Sequence, residues 1–176
     1  MGYSIRELRE SEYPLLNDFL YEAIFIPEGM PPPPREIIYQ PELQVYVADF
    51  GRHRGDTALV AEVEGCIASN TIASNTIESN AIVGAVWVRI MDDYGHIDDE
   101  TPSFAISLYK DYRHRGIGTA LMRAMLERLK ADGYARASLA VQKANYAVKM
   151  YRKVGFTVVD ENACEYIMLC DLRARG

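Results

Sequence analysis

Cysteine is scarce in this chain and poorly spaced for structural work. Cys66, Cys164 and Cys170 are odd in number and lack the paired spacing of a zinc site, so free thiols in a reducing compartment are expected. Basic residues are outnumbered, with 19 Lys and Arg against 25 Asp and Glu. The resulting net charge of −6 argues against a nucleic-acid surface and mildly favours basic or neutral partners. No apolar run is long enough to span a bilayer and no signal-peptide pattern opens the chain, so a cytoplasmic location away from membranes is expected. What is present, 176 residues of which 49% are apolar and 25% charged, suits one soluble domain that needs no disulfides to support its core.

Hydrophobic periodicity and punctuation divide the chain into elements. Residues 3–8 alternate and read as a strand. Ser11 can cap a helix from about Glu12 to Ala23, with Pro14 tolerated in its first turn. Pro27-Glu28-Gly29 and Pro31–Pro34 then force an exposed connection, and Pro41 opens a helix carrying Leu43, Val47 and Phe50 up to Gly51. Thr57–Glu62 and Ile82–Ile90 read as strands. The second is apolar on both faces, Val83, Ala85 and Trp87 against Val86, Val88 and Ile90, which predicts a central position. Arg54-Gly55-Asp56 spells an adhesion tripeptide, but in a chain without signs of secretion it reads as a turn.

Residues 67–81 are a five-residue repeat: Ile-Ala-Ser-Asn-Thr twice, then Ile-Glu-Ser-Asn-Ala. A period of five fits neither helix nor strand, and three copies are too few for a solenoid. An expanded hairpin loop without catalytic role is expected. The competing reading is a β-extension that pairs with another chain, since Ile and Thr favour strand and no proline interrupts them.

The most informative stretch runs from Tyr112 to Thr119. It lies between the β-capable Ser103–Tyr109 and a helix whose Ile117, Leu121, Met125 and Leu129 recur at helical spacing. Glycines at a helix start let a ligand approach the backbone, and free amides there with the helix dipole favour an anion. Arg113 and Arg115 add positive charge. The spacing is wrong for a P-loop, which needs Lys-Ser/Thr after its last glycine, and for a dinucleotide fingerprint, of which only Gly116-x-Gly118 is present. A mononucleotide-binding α/β protein is the alternative from another class that this turn allows.

Downstream, Asn145 is a good N-cap for a helix in which Ala147, Val148, Tyr151 and Val154 form one apolar face, and Gly155 is placed to stop it. A Gly133 stop and a strand at residues 137–141 lie between the two motifs, and residues 156–159 and 165–170 read as closing strands. Arg113-x-x-Gly116-x-Gly118 followed by the Asn145–Phe156 block resembles the paired signatures of the GNAT superfamily of N-acetyltransferases, over roughly residues 82–172.

That resemblance implies an α/β fold with a mixed, mostly antiparallel sheet flanked by helices, in the order β-α-α-β-β-β-α-β-α-β-β. Residues 1–176 would form one acyl-CoA N-acyltransferase domain, interrupted by the insertion at 67–81. Acetyl-CoA would be the co-substrate, with no metal required. Its pyrophosphate would lie on Arg113, His114, Arg115, Gly116, Ile117, Gly118 and Thr119. Its pantetheine arm would lie along Ile106, Ser107 and Leu108, where neighbouring strands splay, and near Asn145, whose capping role alone also explains it. Tyr151 would protonate the leaving thiolate, a transfer from a phenol of pKa about 10 to a thiolate of about 8.5 that positioning can support.

The base is open. Glu100 and His96 stand in the acidic run Asp92–Glu100, which also reads as a solvated turn, and a metal site from His96, Asp98 and Asp99 lacks a fourth ligand. Phe19, Tyr21, Phe25 and Glu28 stand where the family's first helices line the acceptor pocket, although they also suit a plain core. No cysteine falls in either motif, so direct attack by a primary amine, on a small molecule or on a peptide or protein, is the expected chemistry. The chain would act as a monomer or homodimer. An acyl-CoA sensor, or a transferase of another acyl group, is the alternative on the same fold.

Overall fold

The computed structural model of the chain describes residues 2–66 and 79–173. Among these residues seven strands form one sheet: β1 (Tyr3–Glu7), β2 (Thr57–Cys66), β3 (Ser79–Arg89), β4 (Ser103–Leu108), β5 (Arg136–Gln142), β6 (Thr157–Glu161) and β7 (Glu165–Asp171). Their order across the sheet is β1-β2-β3-β4-β5-β7-β6, and every pairing is antiparallel except β4 with β5. Among the described residues four α-helices flank it: α1 (Leu15–Ala23), α2 (Pro41–Gln44), α3 (Ile117–Ala131) and α4 (Ala147–Val154).

Each face of the sheet carries its own apolar layer. Leu121, Met122, Met125, Leu126 and Leu129 of α3 and Val154 of α4 bury one face against Leu59, Val86 and Leu139. On the other, Leu16, Phe19 and Leu20 of α1 join Ile38, Val47 and Phe50 over Val60, Ala85 and Trp87. β3 is central and two-sided as its sequence predicts, but its alternation breaks. Val83 lies with Val86 and Val88 instead of with Ala85 and Trp87. The register slips between Ala61 and Glu62 of β2, opposite Gly84 and Ile82, so Val83 is the extra residue of a bulge.

Three expectations need correction. Ser11 does not cap a long first helix. It lies in a 3-10 turn over Glu10–Glu12, and α1 starts only after Pro14. The turn is closed by Glu12, whose carboxylate accepts the Arg9 amide at 2.9 Å and both terminal nitrogens of Arg6 at 2.8 Å. The helix from Pro41 ends at Gln44. Beyond it, the buried Arg89 guanidinium donates to the carbonyls of Val45 (3.0 Å) and Ala48 (2.7 Å), and Asp49 takes a left-handed φ of 52°, so the chain continues as turns. Finally, β2 and β3 pair further than expected, to Cys66 opposite Ser79. Residues 79–81 of the repeat are therefore strand, whereas residues 67–78 lie outside the described residues.

Arg54-Gly55-Asp56 is a turn. Asp56 forms a two-point ion pair with Arg89 (3.0 and 2.8 Å) and accepts the Gly51 amide, with its side chain 1% exposed. A carboxylate so committed is not offered to a receptor. Cys164 is an exposed free thiol, and Cys170 is buried.

Candidate active site

The sheet opens between β4 and β5. Their only ladder pair is Ser103 with Ser138, and beyond it the strands part, leaving the inner edges of residues 104–108 and 139–142 without a strand partner. The vertex is held by side chains. Ser103 Oγ donates to Asp93 (3.0 Å) and lies 3.2 Å from Ser138 Oγ, which donates to the Gly95 carbonyl (2.8 Å). Asp93 also accepts the Tyr46 hydroxyl at 3.0 Å. Burial pushes the Asp93 carboxyl upward despite these donors, and burial with the adjacent Asp93 keeps the Tyr46 phenol protonated. A Cβ on Gly95 would come to 3.1 Å from the β5 backbone at Leu139 and Ala140, so a larger residue there would press on β5.

A cavity of about 940 Å³ fills the opening and continues under the segment that follows α1. Ile106, Ser107 and Leu108 line it, and Ser107 Oγ is anchored to the Phe19 carbonyl at 2.6 Å. At its far rim the chain turns into α3. His114 (φ 59°) and Gly116 (φ 82°) are both left-handed, and the first helical bond runs from the Ala120 amide to the Gly116 carbonyl. The amides of Ile117, Gly118 and Thr119 therefore precede that bond at the positive end of a fifteen-residue helix. Gly118 permits tight packing: a Cβ there would stand 3.3 Å from both Leu108 Cδ1 and Met150 Sδ.

The cations divide differently from the sequence expectation. Arg113 donates to the Leu108 carbonyl (2.9 Å) and pairs with Glu22 (3.1 Å), so it ties β4 to the end of α1 with its charge offset. Arg115 leaves the cavity and stacks over the Tyr112 ring at 5.6 Å. Ile117 is a core residue, 4% exposed, and can offer only its backbone amide. Arg113, His114, Gly116, Gly118 and Thr119 do line the cavity, joined by Lys110 and Lys149, which sequence reasoning did not single out. His114 stacks on Tyr146 with ring centroids 4.7 Å apart, bridging this loop to the start of α4.

The position of Tyr151 follows from how α4 stops. Gly155 (φ 113°) is the left-handed residue of a Schellman motif: its amide bonds the Arg152 carbonyl and the Phe156 amide bonds the Tyr151 carbonyl at 3.0 Å. The accompanying apolar contact is between the Phe156 and Tyr151 rings, 6.2 Å apart. Tyr151 is thus clamped from its own helix end, 8% exposed, on the cavity wall. Burial pushes its phenol well above the ordinary range, and its hydroxyl has no hydrogen-bond partner among the described residues. Asn145 caps the same helix, its Oδ1 accepting the Ala147 amide at 2.9 Å, while its side chain also borders the cavity.

Glu100 is not brought to this site, which corrects its selection as a base. It is exposed on the turn before β4, at the closed end of the splay, and does not border the cavity. His96 lies on the same turn with Nδ1 2.9 Å from the Met91 carbonyl. That turn is structural, with Asp98 paired to Arg136 on β5. Of the first-helix residues, Tyr21 and Phe25 line the cavity, Phe19 is fully buried and Glu28 is solvent-exposed. The carboxylate that does border the cavity beside the open strands is Glu165, the first residue of β7, opposite Gln142. No local pattern flags it, because only the β5–β7 register carries it there.

Residues 30–156 match the family model of the acetyltransferase (GNAT) family, and the chain belongs to that family. Among curated relatives, mycothiol acetyltransferase from Corynebacterium glutamicum is 34% identical over 82 residues, or 46% of this chain. This chain covers only 26% of that protein's length. Among solved structures, the PaiA N-acetyltransferase of Thermoplasma acidophilum in complex with coenzyme A superposes with a TM-score of 0.63 at 19% identity, over 97% of this chain and 99% of that one. The ribosomal-protein-S18-alanine N-acetyltransferase of Escherichia coli gives 0.60 at 14% identity, over 99% and 97%. The fold is therefore the GNAT fold, and the mononucleotide-binding alternative has no observation in its favour.

Proposed function

We propose that this protein transfers the acetyl group of acetyl-CoA directly to a primary amine. The observation that carries the reading is the parting of β4 and β5 after Ser103 and Ser138, with the free amides of α3 at one end of the opening and the Tyr151 hydroxyl on its wall. The donor's pantetheine arm would take up the unpaired inner edge of Ile106–Leu108. Its pyrophosphate would meet the amides of residues 117–119, the cations Lys110 and Lys149, and the His114 ring. The cavity is of the size that small-molecule sites occupy.

An amide of the β4 edge would stabilise charge developing on the thioester oxygen. As the amine nitrogen attacks the carbonyl carbon, the C–N bond forms and the C–S bond breaks. The Tyr151 proton then goes to the departing thiolate, and the proton shed by the amine leaves to a base in the cavity. Burial keeps the phenol protonated, so its proton is in place when the thiolate forms. The chain works in the cytoplasm as a monomer or homodimer on this reading, with residues 67–81 lacking a catalytic role. Among the described residues no helix is long and apolar enough to cross a membrane.

The test is thiol release from acetyl-CoA across a panel of primary amines. With an accepted amine, Tyr151→Phe should lower turnover on the order of 10²-fold while leaving CoA affinity unchanged. Turnover within about threefold of wild type would reduce Tyr151 to packing.

A further inference from the structure

Two acids border the cavity, and only one is available. Glu22 is neutralised by Arg113 at 3.1 Å. Glu165 forms no ion pair among the described residues. It is half-buried and accepts a single neutral hydrogen bond, from Gln142 Nε2 at 3.1 Å. Two cations beside β7 are engaged elsewhere: Lys143 pairs with Glu161, and Arg152 of α4 lies over the Tyr166 ring. A half-buried carboxylate with unused acceptor capacity is free to take a charge-assisted bond from a cationic ligand.

The wall beyond Glu165 has no further acid to offer. Phe25, Ile26, Met30, Pro32 and Leu43 line it, together with Tyr46, whose hydroxyl is turned to Asp93. Glu165 is near enough to Tyr46 for its charge to reinforce that phenol's protonation, so the carboxylate and the apolar wall belong to one pocket. The opposite end carries Lys110 and Lys149, which would repel a second positive group.

Resting on the transfer reading above, we infer that Glu165 is the anchor for the acceptor's ammonium group, and that the acceptor is a monoamine on an apolar body. One carboxylate beside an apolar wall selects one positive charge followed by hydrocarbon or an aromatic ring. It selects against polyamines, whose distal ammonium groups would be desolvated without a partner, and against acidic amines.

Calorimetry on the free protein and on the CoA-loaded protein tests this with 2-phenylethylamine, its uncharged analogue 2-phenylethanol, and spermidine. Wild type should bind 2-phenylethylamine more tightly than either comparator. Glu165→Gln should weaken 2-phenylethylamine roughly 10- to 100-fold and leave 2-phenylethanol unchanged, as expected for loss of one charge-assisted contact. An effect on the amine within about threefold overturns the assignment. So does equal binding of amine and alcohol to wild type, a comparison that needs no variant, or a preference for spermidine. Glu165-dependent amine binding without any CoA binding would sink the donor reading and keep this one. CoA binding without amine selectivity would do the reverse.

Discussion

Gly116 shows how one residue separates stability from ligand binding. Its φ of 82° favours glycine, yet a Cβ there would meet nothing within 4 Å. Gly116→Ala should therefore cost only the left-handed backbone penalty, about 1 kcal/mol. Gly116→Asp should cost no more, because Asp tolerates this conformation and is welcome at a helix N-terminus. It nevertheless sets a negative charge where the donor's pyrophosphate would lie, and CoA affinity should fall by roughly tenfold or more relative to the alanine variant. Urea midpoints and CoA titrations on both variants check this; equal CoA affinity would remove the pyrophosphate from this turn. Gly155 was legible because its role is local, a helix stop readable from its placement, whereas Tyr151 was singled out through the family likeness. Glu165 was not legible, since its place depends on which strand lies beside β5. Glu100 misled for the same reason, being near the site in sequence and at the wrong end of the splay in space.

Among the elements, the link between β1, the turn before α1 and β2 has the clearest electrostatic signature. Arg6 holds Glu12 at 2.8 Å and Glu62 at 3.1 Å, all partly shielded from solvent. The Arg6 hydrogen bond lowers the Glu12 carboxyl from 4.5 to about 2. A depressed carboxyl stabilises the fold above its unfolded pKa, and that contribution fades as pH falls through the folded value. Glu12→Gln should thus lower the urea midpoint at neutral pH, and the gap to wild type should close between about pH 4.5 and 2. A gap that persists unchanged at pH 2 would mean that Glu12 acts by shape and not by charge. Most elements were readable from alternation and punctuation. The exceptions have tertiary causes: the second helix is cut short where Arg89, distant in sequence, takes its carbonyls, and the β3 faces are reassigned by a bulge that only pairing with β2 reveals.

At the scale of the whole molecule, a seven-stranded sheet is sealed on both faces and opened at one seam. The seam was implied by family likeness and not by any spacing in the chain. Its physical cause is the vertex, where Asp93, Gly95, Ser103 and Ser138 are joined by hydrogen bonds and close packing just before the strands part. All of the chemistry proposed for this protein depends on that opening admitting a CoA thioester. The most direct measurement is a thermal melt of the unmodified protein with CoA, ATP or NAD at matched concentrations. A ligand that binds only the folded state raises the melting temperature by mass action, and at about 100 times its Kd it adds about 2.7 kcal/mol. CoA should raise the midpoint by several degrees while ATP and NAD leave it close to that of the free protein. An unchanged midpoint with saturating CoA, or an equal rise with ATP, would contradict the assignment of this seam as an acyl-CoA site.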